Sequence, residues 1–332
     1  MYSSHVATAA SNGKVILYDL NSVGVEFARL HEHARQVHRV RFNPHQGFLL
    51  LSASQDGTAR LWDIRDPRRE AGAVQAGPPV GPSRAKYLGQ ADGIRDLKWS
   101  PTDGLKFAFG TDSGVIEQWD YSNPKQPLLK INAHEKTCHS VDWHPDGKHL
   151  LSASADKTVK IWDFESGKRR QKPGWVLQCP YGIQNARWRP PCLSSNLNDA
   201  GMWQSTQIAT SYDKYPDVHV WDLRRASVPF REVIRGNIPP ADLLWQSTDL
   251  MWSVDSDGLF SQSDVQFTRK VVDLRSPAVN ALTPQGELLM FSQRRALPRQ
   301  PSLEYASDET VTAPNPRFLE HDNGFTRNSA DD

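Results

Sequence analysis

The segment Gly110-Thr111-Asp112-Ser113-Gly114 sets a serine beside an aspartate and between small residues, the surroundings a serine nucleophile could use. It falls, however, at the same place in a recurring pattern as Gln55-Asp56-Gly57 and Ala155-Asp156-Lys157. Those stretches read as hairpin turns, where a short acceptor side chain and a permissive φ are needed. There is no G-x-S-x-G elbow. Two histidine groups, His31/His33/His38 and His134/Cys138/His139, could be drawn as zinc ligands. Yet Glu32 after His31 does not complete an H-E-x-x-H motif, and His33 and His134 recur at matching points of the pattern. The expectation is therefore no catalytic residue, no metal and no cofactor. Cys138, Cys179 and Cys192 have no C-x-x-C spacing and are too few for a disulfide framework, which points to a reducing compartment.

Two markers recur along the chain. One is an aromatic residue, any residue, then proline: Phe42-Asn43-Pro44, Trp99-Ser100-Pro101, Trp143-His144-Pro145 and Trp188-Arg189-Pro190. The other closes an apolar run with aromatic-Asp: Tyr18-Asp19, Trp62-Asp63, Trp119-Asp120, Trp162-Asp163 and Trp221-Asp222. The markers stand about 20 residues apart in three units, and the whole period is about 43 to 59 residues, the spacing of propeller blades with long loops in some units. The unit from His134 to Asp163 shows this best. Alternating segments are separated by Pro145-Asp146-Gly147 and Ala155-Asp156-Lys157, which makes a strand meander and not a helix. A sheet this small cannot bury both faces alone, so neighbouring units must stack around an axis.

Ser152-Ala153-Ser154-Ala155-Asp156, followed by Ile161-Trp162-Asp163, resembles the consensus WD repeat. The resemblance implies an all-β WD-repeat β-propeller of about six to seven four-stranded blades. It also implies a structural tetrad of loop histidine, strand hydroxyl, turn aspartate and strand tryptophan. His134, Ser152 or Ser154, Asp156 and Trp162 match it, as do His33, Ser52 or Ser54, Asp56 and Trp62. A degraded form is expected at Asp112 and Trp119, and another at Asp213 and Trp221. A sixth unit is divergent, with Trp245 and a Ser256-Asp257-Gly258 turn, and a remnant follows near Val279–Ser292.

The chain opens inside a blade: His5–Ala10, Asn12-Gly13 and Val15–Asp19 read as second strand, turn and third strand. The N-terminal blade is thus expected to be incomplete, with a seam against the Val279–Arg295 region. Residues 1–296 read as the propeller and residues 297–332, proline-bearing and polar, as a disordered tail. Residues 67–84 and the stretch around Pro191–Ser205 read as insertions. Trp175 and Trp203 lie outside the strand pattern and are interface candidates. The formal net charge is +1, so no global field draws the chain to nucleic acid or membrane. No apolar run approaches the ~18 residues of a membrane span, and Met1-Tyr2-Ser3-Ser4-His5 does not read as a signal peptide.

Basic residues recur after third strands: Arg65, Arg68 and Arg69; Lys168, Arg169 and Arg170; Arg224 and Arg225. Equivalent loops of successive blades share one rim, so these residues form a candidate interaction face suited to an acidic partner segment. Several stretches go beyond the generic repeat. They include residues 33–44, Gly93-Ile94-Arg95-Asp96-Leu97-Lys98-Trp99, Asn185-Ala186-Arg187-Trp188-Arg189-Pro190 and residues 218–230. In this order they resemble the propeller of the fungal restriction of telomere capping family, counterpart of the animal WD-repeat subunit of the GATOR assembly. The resemblance implies a non-enzymatic subunit of a SEA/GATOR-type complex. Such a subunit has other protein subunits as partners and no nucleic acid. It would be cytoplasmic and peripheral at the vacuolar membrane through its partners, acting in amino-acid signalling to the target-of-rapamycin kinase complex and in autophagy. The family also carries a RING-like zinc domain, which three scattered cysteines cannot build, so no ligase activity is carried over. A competing reading is a substrate receptor for a cullin-type ubiquitin ligase. It rests on Trp62-Asp63-Ile64-Arg65 and Trp221-Asp222-Leu223-Arg224, which resemble the short Trp-Asp-x-Arg box of such receptors.

Overall fold

Short alternating segments joined by Asp-, Asn- and Gly-bearing turns fold locally as antiparallel meanders. The computed structural model describes residues 5–21, 26–65, 83–89, 92–164, 172–191, 205–233, 238–271, 278–282 and 288–292. The first sheet holds β1 (His5–Ala9), β2 (Lys14–Asp19) and β3 (Glu26–His31). The second holds β4 (Val37–Phe42), β5 (Leu49–Ser54), β6 (Thr58–Asp63) and β7 (Ala85–Leu88). The third holds β8 (Ile94–Trp99), β9 (Lys106–Thr111), β10 (Val115–Asp120) and β11 (Leu129–Asn132). The fourth holds β12 (Cys138–Trp143), β13 (His149–Ser154), β14 (Thr158–Asp163) and β15 (Trp175–Gln178). The fifth holds β16 (Ile183–Trp188), β17 (Gln207–Tyr212), β18 (Val218–Asp222) and β19 (Arg231–Val233). The sixth holds β20 (Pro240–Trp245), β21 (Leu250–Asp255) and β22 (Phe260–Asp264). The short β23 (Arg269–Lys270) pairs with β19, and β24 (Ala278–Leu282) with β25 (Leu288–Ser292) make a separate hairpin. The only helical turns among the described residues are Leu223–Arg225 and Val265–Phe267, and no described helix is long and apolar enough to cross a membrane.

The protein is an all-β, six-bladed propeller. Its inner strands lie side by side in the order β4, β8, β12, β16, β20. The core is divided among the seams between blades. Leu17, Leu30, Leu50 and Trp62 fill the first seam, and Leu49, Tyr87, Leu97, Phe107 and Trp119 the second. The third holds Ile116, Val141, Leu150 and Trp162, the fourth Leu151, Ile161, Ile183 and Trp221, and the fifth Val218, Leu243 and Met251.

The blades depart from a uniform four strands. β1 and β2 lie against β4 as β13 and β14 lie against β16, so β1 holds the second-strand position of its blade. No described strand occupies the innermost place beside it, and β24 and β25 pair with each other and not with β1. The fifth sheet gains β23 through Arg231↔Lys270 and Glu232↔Arg269, while the sixth has three described strands. Trp175 corrects the sequence expectation: it is the first residue of β15, opposite Ile161, and it is 46% exposed. The sequence conceals it because a four-residue outer strand with one buried side chain, Leu177, carries almost no periodicity. The proposed insertions and the 297–332 tail lie almost wholly outside the described residues.

The hairpins closed by Gly57, Gly114 and Lys157 are equivalent, with φ of 78°, 78° and 69°. A Cβ at Gly114 would come within 2.3 Å of the His134 carbonyl oxygen, so only glycine fits there, whereas Lys157 carries the left-handed strain. Gly114→Ala is expected to lower stability by more than ~1 kcal/mol, and Lys157→Gly to leave it unchanged or raise it. Chemical denaturation of the two variants checks this, and equal losses in both would contradict the turn register.

Candidate interaction surface and inner face

Each of the five inner strands β4, β8, β12, β16 and β20 carries a bulge near its start. The register breaks fall between Val37/Arg39, Ile94/Asp96, Cys138/Ser140, Ile183/Asn185 and Pro240/Asp242. A bulge re-aims the side chain that follows it. Here it delivers Arg39, Asp96, Ser140, Asn185 and Asp242 to one level on the axis side, with Arg41, Lys98, Asp142, Arg187 and Leu244 one pleat further along. These residues join the blades by polar contacts. Asp96 is fully buried and pairs with Arg187 at 3.2 Å and Arg39 at 3.3 Å. Its Oδ2 also accepts the Val141 N–H at 3.1 Å. Arg39 continues to Asp242 at 2.8 Å, Lys98 pairs with Asp142 at 3.1 Å, and Arg187 Nη1 donates to Ser140 Oγ at 2.6 Å. Burial alone would push the Asp96 carboxyl up, but the guanidiniums of Arg187, Arg39 and Arg41 outweigh it and hold the group well below the usual carboxylate range.

The tryptophan that ends an inner strand binds the blade before it. Trp99 Nε1 donates to the Arg41 carbonyl at 3.1 Å, Trp143 to Lys98 at 3.3 Å and Trp245 to Arg187 at 3.4 Å. Trp99 and Trp143 are members of the aromatic-x-Pro marker, whereas Phe42, also in it, has no side-chain N–H to donate. Trp188 departs from this pattern, because its indole N–H has no hydrogen-bond partner among the described residues.

Two blades carry a complete relay of hydrogen bonds. Trp62 Nε1 donates to Ser52 Oγ at 2.8 Å, Ser52 Oγ lies 2.7 Å from His33 Nε2, and His33 Nδ1 lies 3.0 Å from Asp56 Oδ2. The corresponding distances for Trp162, Ser152, His134 and Asp156 are 2.9, 2.8 and 2.9 Å. An indole N–H only donates and a carboxylate only accepts. Proton order therefore runs from tryptophan to aspartate through a neutral imidazole. Ser54 and Ser154 bind the loops instead. Each hydroxyl donates to a loop carbonyl, of Arg35 and Lys136, at 3.2 Å and accepts the N–H of the turn aspartate.

The third and fifth blades differ from the tetrad expected for them. Strand pairing sets Phe109 and Thr210 at the level of Ser52 and Ser152, which makes Ser113 and Lys214 the equivalents of Asp56 and Asp156. Asp112 and Asp213 therefore stand one residue too early. Asp112 forms an ion pair with Arg95 instead. With Phe109 in place of a hydroxyl, Trp119 Nε1 donates to Glu117 Oε2 at 3.1 Å, and Glu117 pairs with Lys130. In the fifth blade Trp221 donates to Thr210 Oγ1 at 2.9 Å, and Thr210, Tyr212 and His219 complete a different buried chain. Ser113 bonds Thr111 inside its turn at 3.1 Å. The ring nitrogens of His33 and His134 are all engaged in the relays. Cys138 is buried, with its thiol pushed far up by desolvation.

Of the expected basic face, Arg65, Arg224 and Arg225 are described and exposed; Arg68, Arg69, Lys168, Arg169 and Arg170 lie outside the described residues, as does Trp203. Arg65 and Arg224 take one geometry. Nε and Nη2 of Arg65 contact the two oxygens of Asp63 at 3.0 and 2.7 Å, and those of Arg224 contact Asp222 at 2.9 and 2.6 Å. Arg65 also lies 3.4 Å over the Phe48 ring, whereas the Arg224 side chain is 72% exposed. The Trp-Asp-x-Arg pattern thus builds a carboxylate-guanidinium clamp after the third strand.

One constellation escapes the sequence reading. His144, Asp146 and His149 bring their ligand-type atoms within 4.8 Å of one another. They line a cavity of about 600 Å³ between the fourth and fifth blades, with Trp175, Trp188, Leu223 and Arg224. The signal available is the His-x-Asp-x-x-His spacing of the β12–β13 turn, which reads as an ordinary Pro-Asp-Gly turn.

The family described as WD domain, G-beta repeat matches residues 24–63 and 125–163. Among curated proteins, Restriction of telomere capping protein 1 of Kluyveromyces lactis is 25% identical over 357 residues, covering 94% of this chain and 26% of that protein. GATOR2 complex protein WDR24 of Xenopus laevis is 26% identical over 278 residues (82% of this chain, 32% of that protein). The Homo sapiens protein of that name is 30% identical over 227 residues (68% and 25%). The chain thus carries WD40 repeats and is homologous to both groups, and it spans about a quarter to a third of the length of these relatives. Among solved structures, a chain of the Mitotic Checkpoint Complex superposes with a TM-score of 0.62 at 17% identity, covering 79% of this chain and 71% of that one, a likeness of fold.

Burial lowers the proton affinity of His33 and His134, and Asp56 and Asp156 only partly restore it. Each imidazole is therefore more acidic folded than unfolded, where it titrates near about 6.5. Below that pH the unfolded state binds more protons, so stability falls as pH drops. The two aspartates, held below their ordinary range, extend the loss only in stronger acid. The thermal midpoint is expected to fall between pH 7.5 and 5.5, with a shallower slope in His134→Gln; an unchanged slope in that variant would contradict the neutral relay. Trp162→Ala should cost roughly 3–5 kcal/mol, as a buried large-to-small change that also unseats Ser152.

Proposed function

We propose that this chain is a non-enzymatic scaffold, the propeller of a subunit in a SEA/GATOR-type assembly that relays amino-acid status to the target-of-rapamycin kinase complex. The observation that carries the reading is homology along most of the chain to proteins of two kinds, one of them named as a GATOR2 complex component. The interior supports it: the buried polar groups described above serve relays and inter-blade ion pairs, an arrangement that builds a rigid body for presenting rims. Contact is assigned to protein partners, with peripheral residence at the vacuolar membrane and the link to autophagy following from the assembly.

The rim after the third strands is the proposed contact face, with Arg65, Arg224 and Arg225 as its described members and an acidic partner segment as its ligand. Affinity purification of the chain followed by mass spectrometry is expected to recover other subunits of such an assembly. Recovery of a cullin adaptor in their place would favour the receptor reading, and recovery of neither would overturn the scaffold assignment. Charge reversal at Arg224 and Arg225 should reduce the co-purifying subunits severalfold at low salt and less at moderate salt, since surface attraction is screened. An unchanged partner set in a folded variant would make the rim solvated surface only.

A further inference from the structure

His144 Nε2 lies 3.1 Å from the carbonyl oxygen of Ser205, an atom that only accepts, so this nitrogen carries the hydrogen. The other nitrogen, Nδ1, accepts the Asp146 backbone N–H at 3.2 Å and so carries no hydrogen. It faces Asp146 Oδ1 at 3.0 Å. Asp146 Oδ1 is itself an acceptor, taking the N–H groups of Lys148 at 2.8 Å and His149 at 3.1 Å. The second oxygen of Asp146 lies 2.7 Å from His149 Nδ1. Nδ1 and Oδ1 are then two acceptor atoms held 3.0 Å apart, a pairing that a shared cation would relieve. Three nitrogen and oxygen donors converge here, and the distal nitrogen of one imidazole is anchored on a backbone carbonyl. That is how proteins orient a metal-ligating histidine. The cluster lines the 600 Å³ cavity between the fourth and fifth blades. Trp188, 6% exposed and edge-on to His144 at 4.7 Å, lines the same cavity, and its indole N–H has no acceptor among the described residues.

We propose that His144 Nδ1, the Asp146 carboxylate and His149 Nδ1 form a binding site for one divalent transition-metal ion of the Zn²⁺ class. Two imidazoles and a carboxylate suit such an ion better than Mg²⁺ or Ca²⁺, which prefer all-oxygen sets. Three protein ligands leave a fourth position, filled by water or by an oxygen donor of a partner, and an oxygen there would suit the unpaired Trp188 N–H. Because His144 is tied to Ser205 across the seam, the ion would brace the β12–β13 turn against the fifth blade.

The test is calorimetric titration of the untagged protein with Zn²⁺, in a Cys192→Ser background to remove a competing thiol. One equivalent is expected to bind and to raise the thermal midpoint. His149→Gln and Asp146→Asn should each weaken binding by about 10- to 100-fold or more. His149 is one-third exposed and Asn keeps the turn's acceptor, so both metal-free variants should melt like the parent. Substitution with Co²⁺ should give a spectrum without thiolate charge transfer. Absence of stoichiometric binding, or binding unaffected by either substitution, would overturn the proposal.

Discussion

The carboxylate of Asp96 sits out of water on β8, and the charged groups of the neighbouring blades are arranged around it. An unpaired charge in that position would cost several kcal/mol, so the pairs to Arg187 and Arg39 are obligatory once the aspartate is there. Those pairs reach across the axis side from the second blade to the fifth, and Arg39 extends the set to Asp242 on the sixth. The network therefore gives no local stability to one blade. Its energy is available only when the blades have docked, which makes docking cooperative and fixes their relative heights.

Apolar burial supplies the larger driving force and is less particular. Each seam is filled by side chains of two sheets, and the bulk hydrophobic contribution depends on area removed from water more than on register. The polar relays of two blades add direction. In the second and fourth blades an indole, a hydroxyl, an imidazole and a carboxylate lock the third strand, the second strand, the loop and the turn together. The third blade shows that the relay can be replaced. With Phe109 stacked on Trp119 and Glu117 accepting the hydrogen bond of the indole N–H, the site remains satisfied by different chemistry.

The meander, the period and the complete tetrads are legible in the sequence because turn chemistry and alternation are local. The errors come from what is not local. Asp112 and Asp213 look like tetrad aspartates until strand pairing shows them one residue early, and a one-residue offset in a turn points a side chain elsewhere. The bulges that gather Arg39, Asp96, Ser140, Asn185 and Asp242 leave no compositional mark, because a bulge is a property of two paired strands. Residues 144–149 read as a turn, which is right for the backbone, but the spacing does not reveal that their side chains meet over it. Trp175 reads as a loop residue because an outer strand buries too little to show a pattern.

The Asp96 network is what makes the blades one cooperative unit, and native-state hydrogen exchange of Asp96→Asn tests this most directly. Neutralising Asp96 leaves Arg187 and Arg39 short of a counter-charge, so amides of β4, β12 and β16 should lose protection together with those of β8, by a common factor of about 100 or more. Loss of protection confined to β8 and β9, with the neighbouring blades unchanged, would contradict that cooperativity.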